Sequence, residues 1–207
     1  TLTATYTGTP VKSGCFIATA TYGSASAPQV QALRDFRDGI AMKTFAGSSF
    51  MTGFLTWYYS WSPPVANTIA PSDGARAVMR VALPPLLSIL DVAASVNSAL
   101  SFSGEFAIVS AGFAAASLIG IVYFLPLATL ALVGAKRYRK GLALPGTSRV
   151  LLMSGVPWAV SVALIVVAEM ALSPALMVAA TIAFVALTII MVVGTASIWL
   201  ASFYRRG

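Results

Sequence analysis

The residues that could carry chemistry are few, and the first of them is Cys15, the only cysteine among 207 residues. A cysteine nucleophile needs a base that activates its thiol, and the sequence contains no histidine. The lack of histidine also argues against His-ligated haem and the usual zinc sites, and any other cofactor stays unknown. We therefore predict that the chain is not an enzyme and has no catalytic, cofactor-binding or metal-binding residues.

Three interpretations of Cys15 are open. The segment CFIATATYGS at residues 15–24 is apolar and rich in small residues, which favours a buried thiol in a tightly packed site. Gly14-Cys15 also matches the end of a lipoprotein processing motif, although Lys12 and Ser13 replace its usual apolar residue. A thiol that links to a cofactor or senses redox state would need an exposed thiolate. Cys15 is thus a candidate packing or modification site.

Glu169 is the one ionisable residue within the last two apolar runs of the sequence. An ionisable side chain inside a membrane segment is a functional candidate by default. A small transporter or channel component that uses Glu169 is therefore an alternative function. A proton or ion relay would need several such groups, and these runs contain one.

The elements that carry these residues belong to a membrane protein. Hydrophobic residues make up 58% of the chain and charged residues only 9%, whereas soluble domains carry roughly 25% charged residues. A helix crosses the hydrocarbon core with about 20 apolar residues. We predict an all-α integral membrane protein with three C-terminal transmembrane helices, preceded by an external helical module and a short N-terminal β-like strand. The predicted spans, in a membrane domain of residues 104–207, are residues 106–135, 150–172 and 174–204.

The distribution of charge predicts the orientation. Residues 106–207 hold seven Lys or Arg and one Glu, whereas residues 1–105 hold six basic and five acidic residues. Because basic loops stay in the cytoplasm, loop 136–149 and the C-terminus are expected there, with residues 1–105 outside a cytoplasmic membrane. A basic excess beside apolar spans indicates partners in the bilayer, both lipid and other membrane subunits, and no nucleic acid. The orienting residues are Lys136, Arg137, Arg139, Lys140, Arg205 and Arg206.

Residues 81–100 are a further apolar stretch, which could be a fourth span. Asp91 lies at its centre, and a mid-bilayer Asp costs about 2.5–3.5 kcal/mol on the insertion scale. Pro84-Pro85 is also expected to break the helix. We therefore predict an interfacial helix on the membrane surface; a crossing helix would instead place the N-terminal region inside.

The region before the spans has two parts. Thr alternates with other residues over positions 1–9, which is typical of a β-strand, so residues 1–14 are expected to be extended and to end an upstream domain. Residues 15–103 are expected to be a helical module. One of its helices carries four large aromatics at membrane-interface or partner-facing positions. These candidate interface residues are Trp57, Tyr58, Tyr59 and Trp61.

Small residues recur every fourth position in the first predicted span, at Gly112, Ala116 and Gly120. This spacing allows two membrane helices to approach closely. We predict that these three residues pack against another helix.

Four segments together resemble one known family. They are CFIATATYGS at 15–24, LRDFRD at 33–38, YYSWSPPVANTIA at 58–70, and LPPL at 83–86, which follows Arg76 and Arg80. This set resembles the CFI-box domain, which is named for its Cys-Phe-Ile opening and occurs toward the C-terminal ends of envelope and secreted proteins of bacteria and archaea. Thr21 departs from the alanine that is commoner there. The resemblance implies an exported, C-terminally placed module, and it supplies no catalytic residue.

The function that these features favour is a non-catalytic membrane subunit or anchor of a cell-envelope or membrane protein complex. Its helical module would dock a partner while its spans pack against other helices. The alternatives are a transporter or channel component that uses Glu169, and a membrane protein linked to lipid or a cofactor through Cys15.

Overall fold

The computed structural model describes residues 14–138 and 147–203, and they are helical with no β-strand among them. The all-α prediction is confirmed, while the strand predicted near the N-terminus lies outside the described residues. A 3₁₀ turn at Ala41–Lys43 and a π-helical turn at Gly120–Phe124 separate neighbouring helices. The α-helices are α1 (Phe16–Tyr22), α2 (Pro28–Gly39), α3 (Phe45–Ile69), α4 (Asp73–Ala99), α5 (Gly104–Ile119), α6 (Leu125–Tyr138), α7 (Thr147–Met170) and α8 (Pro174–Phe203).

Four helical segments are long and apolar enough to cross a membrane: Asp73–Ala99, Gly104–Leu132, Val150–Met170 and Pro174–Leu200. The last three match the predicted spans. The first is α4, for which the sequence predicts a position on the membrane surface.

The proline pair of α4 does not break that helix. Pro84 and Pro85 lie inside a continuous helix of 27 residues, contrary to the expected interruption. Their missing N–H groups leave two carbonyls of the preceding turn without helical donors. The Tyr123 hydroxyl donates to the Ala82 carbonyl at 2.6 Å in the same region. The freed carbonyls are those of Arg80 and Val81, so the Tyr123 contact does not replace the lost bonds but holds the proline region of α4 against the turn that follows α5.

The same contact orients α4 relative to the first predicted span. Ala82 lies toward the start of α4 and Tyr123 follows α5, while the turn at residues 100–103 joins the opposite ends of the two helices. The helices are therefore antiparallel, and α4 reaches the same depth as α5 wherever α5 crosses. This arrangement counts against the interfacial position predicted for residues 81–100.

A π-helical turn joins α5 to α6 within one span. The Leu125 N–H donates to the Gly120 carbonyl, one residue further back than in an α-helix. Pro126 follows directly, and its missing N–H removes one regular helical bond. Wider π turns accommodate such a loss, so the span continues through the proline.

We name the two ends of the bundle by what they contain. The turn end holds residues 100–103 and 171–173, where α4 meets α5 and α7 meets α8. The basic end holds residues 73–80 and 133–138, at the start of α4 and the end of α6. The start of α7 also lies at the basic end, because Val150 is beside Gly194 near the end of α8.

One apolar core joins the predicted module to the predicted membrane domain. Ala41 and Ala46 are buried in the same cluster as Ile108, Ile165 and Met177. The predicted boundary at residues 103–104 therefore does not separate two cores. It follows that α3 packs beside the spans instead of outside them.

The predicted small-residue pattern is only partly used within this chain. Ala116 and Gly120 are buried, and a Cβ on Gly120 would lie 3.3 Å from Val193 Cγ2 of α8. Gly112, by contrast, has no neighbouring heavy atom within 4 Å of where a Cβ would lie. The close approach therefore involves two of the three predicted positions.

Candidate interaction site around Cys15 and the aromatic helix

The site begins with α1, a short helix that follows Cys15 directly. It ends at Gly23, whose positive φ of 78° is readily adopted only by glycine. The Gly23 N–H donates to the Thr19 carbonyl and closes the helix. This compact turn presents residues 15–22 as one unit against α3 and α4.

The structure brings together two groups that the sequence analysis singled out separately. The Ile17 N–H donates to the Tyr58 hydroxyl at 3.2 Å, and the Phe16 ring meets Tyr59 edge to face at 5.6 Å between centroids. The Cys-Phe-Ile segment therefore binds the aromatic helix α3 through both a hydrogen bond and an aromatic contact.

An apolar cluster underlies this contact. Ala18 of α1, Val30 of α2 and Leu83 of α4 are buried together. Cys15 packs against the cluster as a half-buried side chain. The Arg76 side chain also donates to the Thr21 carbonyl at 3.5 Å, so α1 lies near the basic end of the bundle.

Helix α2 then leads from the basic end to the turn end. Val30 near its start contacts the cluster that contains Leu83. Ala41, just after its end, belongs to the core with Ile108 and Met177 near the turn end. Helix α2 therefore lies at the depth of the candidate spans, although it carries four charged residues.

Two arginines of α2, Arg34 and Arg37, lie close enough to the Cys15 thiol to influence its charge. Arg37 is buried and forms a two-pronged ion pair with Asp38, at 2.7 and 2.8 Å. Arg34 donates to the Ala25 carbonyl at 3.0 Å. Both guanidinium groups thus make hydrogen bonds within the module, and Arg34 Nε is the one of their buried nitrogens without a hydrogen-bond partner among the described residues.

Burial has the largest effect on the pKa of the Cys15 thiol. Loss of solvent raises the pKa of its thiol, and the nearby charges of Arg37 and Arg34 lower it by a smaller amount. At neutral pH the side chain is a neutral thiol, which is a poor nucleophile. The environment resembles a packing site more than a reactive one.

The four aromatic residues divide between two directions. Tyr58 and Tyr59 contact α1, whereas Trp57 is 59% exposed. Trp61 packs against Trp57 with ring centroids 5.2 Å apart. Trp61 is half-buried and also packs on Tyr58, so Trp57 is the part of this aromatic group that remains open to a partner or to lipid headgroups.

Several buried donors near the site have no hydrogen-bond partner in the described chain: Arg34 Nε, the Tyr59 hydroxyl and Trp61 Nε1. Buried polar groups in folded proteins are normally hydrogen-bonded. Because the chain itself covers these three atoms, a partner bound at the surface could not reach them.

The remaining predicted residues lie elsewhere. Glu169 is exposed, one residue before the end of α7 and far along the chain from Cys15. Lys136 and Arg137 belong to α6, and Arg139, Lys140, Arg205 and Arg206 lie outside the described residues. Within residues 14–138 and 147–203, no group of three or more His, Cys, Asp or Glu side chains could hold a metal ion.

Sequence reasoning missed one structural carboxylate, Glu105. Its two oxygens accept hydrogen bonds from the Phe45 and Ala46 N–H groups, the latter at 2.9 Å. The Thr44 hydroxyl accepts from the Gly47 N–H at 3.1 Å. The first donors of α3 are therefore capped partly by a residue of α5. The only sequence signal is an acidic residue directly before the first predicted span.

Comparison with known proteins finds no matching family model, no matching curated protein and no matching solved structure. The resemblance to the CFI-box domain therefore stays a prediction based on the four segments.

Alkylation of Cys15 tests its environment. In detergent-solubilised protein we expect iodoacetamide to react slowly at pH 7–8, with the half-maximal rate above the ordinary thiol pKa of about 8.5, because burial raises the pKa of Cys15. Ser26→Cys in a Cys15→Ala background is the matched control, since Ser26 is exposed. If the alkylation rate of Cys15 reached half its maximum at a lower pH than that of the control, the result would indicate a thiolate stabilised by the arginines.

Proposed function

We propose that this chain is a non-catalytic subunit or anchor of a cell-envelope or membrane protein complex. Its candidate spans meet lipid on one part of their surface, and its helical module and α4 meet other subunits. Cys15 serves packing within the module, and the exposed aromatic Trp57 contributes to docking.

One observation carries the proposal: exposed carboxylates occur between the two ends of the bundle. Asp38 is paired with Arg37, but Asp35 on α2 and Asp91 on α4 are exposed and have no ion-pair partner among the described residues. Lipid chains cannot solvate ionised groups, which in membranes face protein or water-filled cavities. A chain surrounded by lipid alone would leave these groups in hydrocarbon. A protein partner along this part of the surface removes the conflict.

The alternatives have weaker support. Glu169 is exposed at a helix end, whereas residues of an ion pathway face a bundle interior or a cavity. A lipid or cofactor on Cys15 would have to displace the apolar residues that pack around this half-buried thiol. The intact mass of the purified chain distinguishes the last alternative, because a mass excess on the Cys15 peptide would support a covalent link.

The fold changes the proposed topology. The basic loop 136–149 and the C-terminus remain the cytoplasmic side by charge. Helix α1 contacts Arg76 at the same, basic end of the bundle. Placement of all residues 1–105 outside does not fit this arrangement, so we propose that α1 lies toward the cytoplasm and the turn end lies outside.

Cysteine labelling of intact cells tests this orientation. In a Cys15→Ala background, Ser101→Cys at the turn end is expected to react with a membrane-impermeant maleimide. Ser26→Cys, next to α1, is expected to react only after permeabilisation. Both native serines are exposed. Labelling of Ser26→Cys in intact cells would instead support the external module predicted from sequence.

Purification from native membranes tests the subunit proposal. A tagged full-length chain, extracted in mild detergent, should co-migrate with at least one other polypeptide at a constant molar ratio through two chromatographic steps. Trp57→Ala is expected to weaken this association, while Val156→Ala, at an exposed position of α7, should leave it unchanged. Migration of the wild-type chain with only detergent and lipid would overturn the proposal.

A further inference from the structure

One face of α4 carries a row of polar side chains. Ser88, Asp91, Ser95 and Ser98 are all exposed, and their spacing of three and four residues places them on the same side of the helix. We call these four residues the polar row. It lies on a helix otherwise apolar enough to cross a membrane.

The polar row presents acceptors and no free donors. The Ser88 hydroxyl donates to the Pro84 carbonyl at 3.3 Å, and Ser95 and Ser98 donate to carbonyls of their own helix at 2.9 Å each. A hydroxyl has one hydrogen to donate and two lone pairs to accept with. Because each hydrogen is used within α4, the outward groups are lone pairs and the Asp91 carboxyl.

The row also lies at the depth of the neighbouring span. It is located between the contact of Tyr123 with Ala82 and the turn at residues 100–103. Lipid offers neither hydrogen-bond donors nor a counter-charge there. The surface is therefore complementary to a helix that brings donors into the membrane.

We infer that the polar row binds a transmembrane helix of a different polypeptide, and that a Lys or Arg within that helix pairs with Asp91. A second copy of this chain does not fit. Residues 81–135 and 150–203, which contain most of its apolar length, include no Lys, Arg or His. Its basic residues at comparable depth are Arg34 and Arg37, which are engaged by the Ala25 carbonyl and Asp38. The inference rests on the proposed subunit role and adds the partner's chemistry.

Synthetic transmembrane peptides test the charge requirement. Two labelled Leu-Ala helices that differ only in a central Lys or Leu would be mixed with the full-length labelled chain in vesicles of neutral phospholipid. We expect the Lys peptide to bind the full-length chain about three- to thirty-fold more tightly than the Leu peptide does, as measured by energy transfer. Asp91→Leu should remove this preference, because the partner charge then has no acceptor. Glu169→Gln should retain it, since Glu169 is not in the row.

Two results in vesicles would overturn the inference: equal binding of the Lys and Leu peptides, or a preference for Lys that persists in Asp91→Leu. Replacement by leucine suits a membrane helix, so a folding failure is not expected to obscure the comparison. Folding is checked by the unchanged thermal transition of each variant.

A photo-crosslinking residue in place of Ser95 tests the same contact in native membranes, with Val156 of α7 as the matched exposed position. We expect Ser95 cross-links to one transmembrane peptide that contains Lys or Arg, while Val156 gives lipid adducts. Adducts from Ser95 only to lipid, to a helix without a basic residue or to a second copy would overturn the inference. Co-purification of other subunits in that case would still support the proposed function.

Discussion

Alanine in place of Glu105 is expected to lower the free energy of unfolding by about 2–4 kcal/mol. The Glu105 carboxylate accepts hydrogen bonds from the first two N–H groups of α3. Its negative charge also lies at the positive end of that helix dipole. Alanine would leave both donors without a partner and would release the start of α3 from α5. Unfolding in mixed detergent micelles, followed by tryptophan fluorescence, measures the change.

Two variants separate charge from contact. Glu105→Gln keeps one oxygen acceptor and loses the charge, so we expect an intermediate destabilisation. Glu169→Ala removes an exposed glutamate near the same end of the bundle, and its effect should stay within about 0.5 kcal/mol. Equal stability of Glu105→Ala and wild type would show that this cap is not needed to dock α3.

Leucine at Gly53 is expected to separate α3 from α8. A Cβ at this position would lie 2.7 Å from Ile182 Cδ1 and 2.9 Å from Val178 Cγ1. The Ile182 methyl is the end of a flexible side chain, but Val178 is β-branched and has little rotamer freedom in a helix. We therefore expect a cost of about 1–3 kcal/mol from overpacking, measured in the same unfolding assay.

The matched control is Gly112→Leu. Both glycines are helical, so both substitutions gain the same helix propensity. Gly112 has open space where its Cβ would lie, and little destabilisation is expected. Adding Val178→Ala to Gly53→Leu should recover part of the lost stability by making room. A Gly53→Leu chain as stable as Gly112→Leu would contradict the close packing of α3 on α8.

The three C-terminal spans could be predicted from sequence because they depend on local composition. An uninterrupted apolar run of sufficient length can cross a bilayer whichever helices surround it. The structure has helices over residues 147–170 and 174–203, where such runs occur. Helix α4 is different. Asp91 and the proline pair argue against a span locally, whereas the antiparallel contact with α5 comes from residues 41 positions apart.

The sequence could predict the separate residues of the candidate site but not the contacts between them. Cys15 and the four aromatics stood out by residue type and clustering. Their contact required a hydrogen bond between Ile17 and Tyr58, 41 residues apart in sequence. Glu105 gave no usable signal, since its partners Phe45 and Ala46 are about 60 positions away. Loop lengths and short motifs do not specify such pairings.

By itself, the sequence determined that this is an all-helical membrane protein, and the charge of loop 136–149 predicts a cytoplasmic position for that loop. Composition, run length and charge act locally, so each can be assessed segment by segment. Only the tertiary structure decided that α1 lies at the basic end and that α2 and α3 pack beside the spans. Those positions depend on which surfaces fit together, as at Gly53 and in the cluster of Ala18 and Leu83. Packing complementarity is a property of distant residues in contact, and no local pattern encodes it.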